Sequence, residues 1–324
     1  MSRNFTNNTG SFNVSNTYSY NNVITVTSTD DESQIRAWLS PLEPQVRHHD
    51  ICNLRVDGIG DWLLETKEFI GWYEESSHAV LFCYGNPGVG KSYIWYESPS
   101  MRTKKRTLLL TGRDGSSVVV DYLCNHAIGQ DMAVACFYYD FASREAQSPT
   151  NMLGSLLSQL LSGLEAIPEE ITKEFTGQKK LLGGRRVQFQ DIVKMFPAVS
   201  SLRRTFICVD ALDECIPEHQ VEVLSALAQV LQRSPNTRIF MTGRSHIRRA
   251  VERELGGGAI SVSIKPKDGD IVAYLRARLR KDITPEVMDG GLEKDIMKSI
   301  PEQVSETYVV MRGPGSLWKS YADR

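Results

Sequence analysis

The sequence predicts an α/β fold in which a mainly parallel sheet lies between two layers of helices. Three short apolar, β-prone runs carry this prediction, at residues 79–84, 205–210 and 237–242. Each run ends in glycine or polar residues, and segments with helical hydrophobic spacing separate the three. Residues 132–141 and 260–264 predict two further strands.

The composition indicates one large globular domain or two smaller ones. Of the 324 residues, 41% are hydrophobic, which is enough for a sizeable core. The net charge of −2 implies no general attraction to nucleic acid or to anionic lipid. Six scattered cysteines, the lack of a secretory signal and the lack of a bilayer-spanning apolar stretch favour a reducing, cytoplasmic location.

Residues 1–32 are rich in asparagine and nearly free of charge before residue 30, which predicts a disordered tail. The alternative is an amyloid-like signalling or oligomerisation segment, since asparagine-rich tracts can stack as cross-β structure. Residues 33–75 predict a helical lead-in. Ile35, Trp38 and Leu39 share one helix face, and residues 61–72 predict a second amphipathic helix.

A glycine-rich motif, G-N-P-G-V-G-K-S, follows the first apolar run directly. Its glycines let successive backbone N–H groups point at one anion. The lysine can reach the β- and γ-phosphates of a nucleotide, and the serine hydroxyl can bind Mg²⁺. The candidate nucleotide-binding residues are therefore Gly85, Asn86, Pro87, Gly88, Val89, Gly90, Lys91 and Ser92.

The helix expected after this loop is interrupted. Residues 95–115 contain Pro99, a basic run and Gly112, and helical spacing resumes only at about residue 116. Two explanations stay open: the segment is a translated unspliced intron, or it is a genuine surface insertion.

Acidic residues follow the run at 205–210. Asp210 ends this run, where a carboxylate can hold Mg²⁺ through its water shell. Asp213 and Glu214 are candidates to polarise an attacking water or to help hold the metal. After the run at 237–242, Arg244 either contacts the γ-phosphate or forms a surface salt bridge.

Helical spacing accounts for most of the remaining chain. Pro149 is a start signal for one helix, and Gly256 to Gly258 stop another. The predicted helices are 150–164, 168–175, 187–201, 218–232, 247–255, 268–280 and 292–305. We expect a core domain at 76–265, a helical extension at 266–308 and a frayed tail at 309–324.

Three motifs together, G-N-P-G-V-G-K-S, F-I-C-V-D-A-L-D-E-C and R-I-F-M-T-G-R-S, resemble the NACHT family of signal-transducing P-loop ATPases of the STAND class. The lead-in R-V-D-G-I-G-D-W-L-L-E-T-K-E-F resembles that of fungal NLR-like proteins with a nephrocystin-type N-terminal domain. The resemblance covers about residues 33–308. It implies a three-layer P-loop NTPase sandwich whose sensor strand, ending at Thr242, lies between the Walker A and Walker B strands.

The resemblance also implies roles for individual residues. Lys91 and Ser92 would hold phosphates and Mg²⁺, Asp210 the metal, Glu214 or Asp213 the water, and Arg244 would be the sensor. No N-K-x-D guanine signature follows the loop, so ATP and ADP are expected rather than GTP.

Such proteins act as switches in fungal innate immunity and heterokaryon incompatibility. They form homo-oligomers when active and meet protein partners through C-terminal repeats. We expect this chain to end before the winged-helix and repeat regions.

Two kinds of function follow from this interpretation. The first is a signalling switch that binds ATP with Mg²⁺ and hydrolyses it slowly to control oligomerisation. The alternative is a scaffold or interaction module that binds a nucleotide without hydrolysing it. A mechanical or clamp-loading ATPase is a third class, for which the sequence offers no clear arginine finger.

Overall fold

The computed structural model describes residues 29–42, 59–74, 78–85, 118–180, 186–265, 267–280 and 290–303. The predicted asparagine-rich tail up to residue 28, the phosphate loop from Asn86 onward, the predicted insertion and the C-terminal tail lie outside these residues. Within the described residues, no helix combines the length and the apolar character needed to cross a bilayer.

Five parallel strands form one sheet in the order β2-β3-β4-β1-β5. Strand β4 therefore lies between β1 and β3, which confirms the predicted position of the sensor strand. The strands are β1 (Val80–Tyr84), β2 (Met132–Tyr138), β3 (Arg204–Asp210), β4 (Thr237–Gly243) and β5 (Ala259–Ser263).

Helices cover both faces of the sheet. One of them begins at the predicted signal, where Ser148 caps Pro149 by accepting a hydrogen bond from the Asn151 N–H at 3.3 Å. The helices are α1 (Thr29–Leu39), α2 (Lys67–Glu74), α3 (Val118–Ala127), α4 (Pro149–Leu161), α5 (Glu169–Lys180), α6 (Phe189–Ser200), α7 (Pro217–Arg233), α8 (Arg248–Leu255), α9 (Asp268–Arg280) and α10 (Gly290–Gln303).

The period of two along each strand sends alternate side chains to two separate cores. In β3, Ile207 and Val209 pack in the core beneath α1, α4, α6, α7 and α8. Phe206 and Cys208 point to the other face, where α2 and α3 pack. Both faces of the sheet are thus covered, which confirms the predicted three-layer sandwich.

Four predictions were wrong in extent. Helix α1 begins at Thr29, within the tail predicted as disordered, and the helix predicted over residues 168–175 continues to Lys180. The helix expected over residues 61–72 breaks into a single 3-10 turn at Asp61–Leu63 and helix α2. Thr66 causes the break, because its hydroxyl donates to the Leu63 carbonyl at 2.6 Å and accepts from the Phe69 N–H at 3.2 Å. The strand expected to reach residue 141 ends at Tyr138, and a 3-10 turn at residues 141–143 follows it.

Candidate functional site

The carboxyl ends of β1, β3 and β4 bring the predicted motifs to one edge of the sheet. The backbone N–H of Gly85, the first residue of the predicted phosphate loop, donates to the Gly243 carbonyl at 3.2 Å. On the other side of β4, the Thr242 hydroxyl donates a short hydrogen bond to a carboxylate oxygen of Asp210, the last residue of β3. The start of the phosphate loop and the acid at the end of β3 therefore flank the same strand, β4.

Asp210 is a buried acid with few donors around it. Only 6% of the residue is exposed, and this burial raises the pKa of its carboxyl to about 6. The Thr242 hydroxyl lowers this pKa, whereas the nearby carboxylates of Glu214 and Asp213 raise it. A divalent cation placed at Asp210 would offset the cost of this buried charge, because it favours the ionised form of the acid.

A tight turn after Asp210 sets the direction of the next two acids. Ala211 adopts a left-handed backbone conformation with φ of 51°, which is unfavourable for a residue with a side chain. Its N–H donates to the Thr242 oxygen at 3.0 Å, and its carbonyl accepts from the Glu214 N–H at 2.8 Å. These contacts hold the 3-10 turn Leu212–Glu214 against the end of β4.

Asp213 contacts both the backbone and the side chain of Arg244. One carboxylate oxygen accepts from the backbone N–H of Arg244 at 3.0 Å, and the other lies 2.9 Å from the guanidinium Nε of the same residue. The side chain of Asp213 is 4% exposed, whereas that of Arg244 is 46% exposed. Asp213 thus orients Arg244 at the rim of the site, and the arginine keeps a partly free face.

Glu214 differs from Asp213 because a backbone amide holds one of its oxygens. Its Oε2 accepts from the Phe141 N–H, which follows strand β2, at 3.0 Å. Burial raises the pKa of Glu214 above its ordinary value, and the nearby Asp213 and Asp140 carboxylates add to that rise. The Phe141 amide and the Arg244 charge act in the opposite direction. A half-buried carboxylate with a raised pKa is suited to take a proton from water.

The donor set at this edge fits Mg²⁺ bound together with a nucleotide. Among the described residues, no group of three or more histidine, cysteine or acidic side chains is arranged to hold a metal by itself. Magnesium needs no such group, because it commonly keeps several waters and takes one or two carboxylates plus phosphate oxygens. Asp210 can supply one carboxylate. Ser92, the other predicted metal ligand, lies outside the described residues.

The structure thus brings four predicted residues together: Asp210, Asp213, Glu214 and Arg244. Gly85 adjoins them, and the predicted residues from Asn86 to Ser92 lie outside the described residues.

Thr242 is a contact residue of the site to which the sequence motifs assigned no role. A polar residue near the end of an otherwise apolar strand was the available signal, since such strand ends meet at one edge.

Comparison with known families identifies the chain. The sequence profile described as "Nephrocystin 3, N-terminal" matches residues 58–97 and 94–244, which is more than half of the 324 residues. The chain belongs to the nephrocystin 3 N-terminal family. The two matched stretches meet at residues 94–97, where the sequence predicts the insertion to begin. The resemblance of the lead-in to a nephrocystin-type N-terminal domain is thereby confirmed.

No curated protein matches the sequence. Solved structures match this member of the nephrocystin 3 N-terminal family at low identity. A DNA replication initiation factor is 11% identical with a TM-score of 0.37, covering 76% of this chain and 57% of its own. The Walker-type ATPase of Pyrococcus abyssi is 16% identical with a TM-score of 0.40, covering 77% and 66%. The Aeropyrum pernix ORC1 protein in complex with DNA is 14% identical with a TM-score of 0.43, covering 84% and 60%. The chain therefore spans less than two thirds of the length of these three structures.

Proposed function

We propose that the chain is a NACHT-type nucleotide switch that binds ATP with Mg²⁺ and hydrolyses it slowly. The observation that carries this proposal is the contact of Asp210 with Thr242 on the strand beside Gly85. Only β4 then separates Asp210, the proposed metal-binding acid at the end of β3, from β1, the strand out of which G-N-P-G-V-G-K-S continues. Asp210 would hold Mg²⁺ through water, and the cation and phosphates together would offset its buried charge.

The contacts divide the roles of the two following acids, which the motif alone leaves open. Both oxygens of Asp213 contact Arg244, so Asp213 positions the arginine. Glu214 keeps one oxygen beyond its bond to the Phe141 amide, and we assign to it the polarisation of the attacking water. Arg244 would use its exposed face to contact the γ-phosphate.

In a switch of this kind, ADP is held at rest, and ATP favours the active, self-associated form. Hydrolysis resets the cycle. Protein partners would bind through C-terminal repeats, as the resemblance to NACHT proteins implies. The net charge of −2 favours partners other than nucleic acid.

The test is phosphate release by the purified chain with ATP and Mg²⁺, alongside titration of a fluorescent ATP analogue. Glu214→Gln should lower turnover by about 100-fold or more, as loss of a general base does, and should keep nucleotide affinity. Lys91→Ala should weaken nucleotide binding through loss of a phosphate-facing charge. The matched control is Glu218→Gln, the same chemical change at an exposed acid in the first turn of α7, and it should alter neither quantity.

Failure has two distinct forms. Nucleotide binding without turnover, unaffected by Glu214→Gln, would favour the non-hydrolysing scaffold. Unchanged ATP affinity in Lys91→Ala would contradict the phosphate-binding role of the loop. Gel filtration with light scattering, run with ADP and with ATP on Glu214→Gln, tests the self-association, which should increase with ATP alone.

A further inference from the structure

Strand β2 lies at one end of the sheet order, so one of its edges has no neighbouring strand in the described sheet. Two glutamine side chains supply partners to this edge. Gln159 of α4 accepts from the Cys136 N–H at 3.0 Å and donates to the Cys136 carbonyl at 2.8 Å. Its amide thus takes the place of a strand backbone, which is one way to satisfy and protect an exposed edge.

Gln147 repeats this arrangement further along β2. Its amide donates to the Tyr138 carbonyl at 3.0 Å and accepts from the Asp140 N–H at 2.9 Å. Gln147 is only 9% exposed, so its two hydrogen bonds lie largely shielded from water. They fix the point at which the chain leaves the sheet.

The two glutamines hold different parts of the strand. Beyond Asp140 the chain enters the 3-10 turn at residues 141–143, and the Asp140 carboxylate accepts from the Ala142 N–H at 3.2 Å. The Phe141 N–H, within the same turn, donates to Glu214. Gln147 therefore holds Asp140, the residue directly before Phe141, whose amide contacts Glu214. Gln159, by contrast, holds Cys136 in the middle of the strand.

We propose that Gln147 is a positioning residue for Glu214, which it orients by fixing the exit of β2 so that the Phe141 amide holds one carboxylate oxygen. The other carboxylate oxygen of Glu214 then stays oriented toward the attacking water. This inference rests on the proposed function, because positioning matters for turnover only if Glu214 polarises the water.

Loosening the turn has a consequence that a purely structural role of Gln147 would not have. The Phe141 amide lowers the pKa of Glu214, and Arg244 does the same, against burial and the charges of Asp213 and Asp140. Losing the amide contact would raise the pKa of Glu214. The acidic limb of the pH–rate profile should then move to higher pH, because the proton must leave Glu214 before it can act as a base.

The experiment compares Gln147→Met with Gln159→Met, which removes an equivalent pair of hydrogen bonds from the same strand edge. Both variants are checked for folding by thermal unfolding. Gln147→Met should lower kcat by about 10-fold or more, a scale typical of misplaced catalytic groups, with nucleotide affinity retained and the acidic limb shifted upward. Gln159→Met should leave kcat and the pH profile as in the unaltered chain. Equal effects of the two variants, or an unchanged kcat in Gln147→Met, would overturn the inference.

Hydrogen exchange at the Phe141 amide separates this inference from the proposed function. If the unaltered chain does not hydrolyse ATP, the proposed hydrolysis fails and exchange alone decides the positioning. Faster exchange at Phe141 in Gln147→Met and in Glu214→Ala, which removes the acceptor, but not in Gln159→Met, supports the contact chain. Exchange in Gln147→Met equal to that of the unaltered chain overturns it.

Discussion

The charged residues at the two ends of β3 have different surroundings. At the amino end, Arg204 lies over the rings of Tyr73 and Phe206, 5.0 Å from each ring centroid, and donates to the Tyr73 carbonyl. At the carboxyl end, the charge of Asp210 meets the Thr242 hydroxyl and is raised in energy by two further acids. The charge of Arg204 is thus compensated by rings and a carbonyl, although the buried Arg238 of β4 lies near enough for the two positive charges to repel. The charge of Asp210 has one hydroxyl donor and faces two further acids.

This difference separates the end of the sheet that its own contacts stabilise from the end at which we propose the nucleotide site. Contacts at the amino end stabilise the free protein, because cation–π contacts and charge-assisted hydrogen bonds are favourable for a guanidinium. The acids at the carboxyl end lower the stability of the free protein, because they crowd like charges into a partly buried space. A bound cation would reverse that effect, which is what a metal–nucleotide site requires.

The largest effect should come from Asp210→Asn, measured on nucleotide-free protein in EDTA. The pKa of Asp210 is about 6 in the folded state and near its ordinary value, about 4, in the unfolded state. Between these two values only the folded state binds the proton, so the free energy of unfolding falls as pH rises through this window. At pH 8 the ionised acid costs about 3 kcal/mol, since one pKa unit corresponds to about 1.4 kcal/mol.

The variant should therefore be more stable than the unaltered chain by up to about 3 kcal/mol at pH 8 and by little at pH 4. Urea unfolding at several pH values measures this, and the same variant should lose the Mg²⁺ dependence of ATP binding. Asp213→Asn is the control, because it loses the contact with Arg244 and should bring no such gain. If the gain in stability of Asp210→Asn over the unaltered chain is no larger at pH 8 than at pH 4, the contrast between the two ends of β3 is wrong.

An intermediate effect is expected from Arg204→Leu at the amino end. The change removes a guanidinium stacked on two rings and a hydrogen bond to a carbonyl, which together contribute about 1–2 kcal/mol. Stability should fall, and ATP turnover of the folded variant should stay unchanged. Arg204→Lys keeps the charge and should recover only part of the loss, because lysine lacks the planar group. Lost turnover in a folded Arg204→Leu protein would remove the distinction between the two ends.

The smallest effect on stability should come from Arg244→Met at the carboxyl end. Its ion pair with Asp213 is half-exposed on the arginine side, and the 4% exposed Asp213 carboxylate keeps the backbone N–H of residue 244 after the change. We therefore expect a loss of about 1 kcal/mol. The loss measured by urea unfolding should shrink further in 0.5 M salt, where such pairs are screened over roughly 4–5 Å. Turnover should nevertheless fall sharply, because the γ-phosphate loses its proposed contact. A large loss of stability with normal turnover would mean that Arg244 is structural.

Local patterns in the sequence predicted the sheet strands and most helices closely. The apolar run at 205–210 became β3, and Pro149 began α4, because both signals act over a few residues. Cys83, Cys136 and Cys208 lie within the predicted apolar strands, and all three are buried, with no disulfide bond among the described cysteines. The place of β4 between β1 and β3 came from the family resemblance, and the places of β2 and β5 were not predicted, since strand neighbours are set by contacts between distant residues.

Errors occurred where a side chain redirected the backbone. Thr66 caps α2 and ends a helical pattern that hydrophobic spacing alone would continue. The different partners of Asp213 and Glu214 could not be predicted, because both are acids of one turn with similar sequence surroundings. Their partners, Arg244 and the Phe141 amide, lie 31 and 73 residues away along the chain.

The sequence alone determined which residues form strands and helices, and which acids and glycines end those strands, because these follow from hydrophobic period and turn chemistry. Tertiary structure decided that Thr242 meets Asp210, that Arg244 holds Asp213 and that Gln147 fixes the turn carrying Phe141. The physical reason is that side-chain hydrogen bonds need atoms within about 3 Å. Only the packing of the parallel strands brings residues so distant in sequence to that separation.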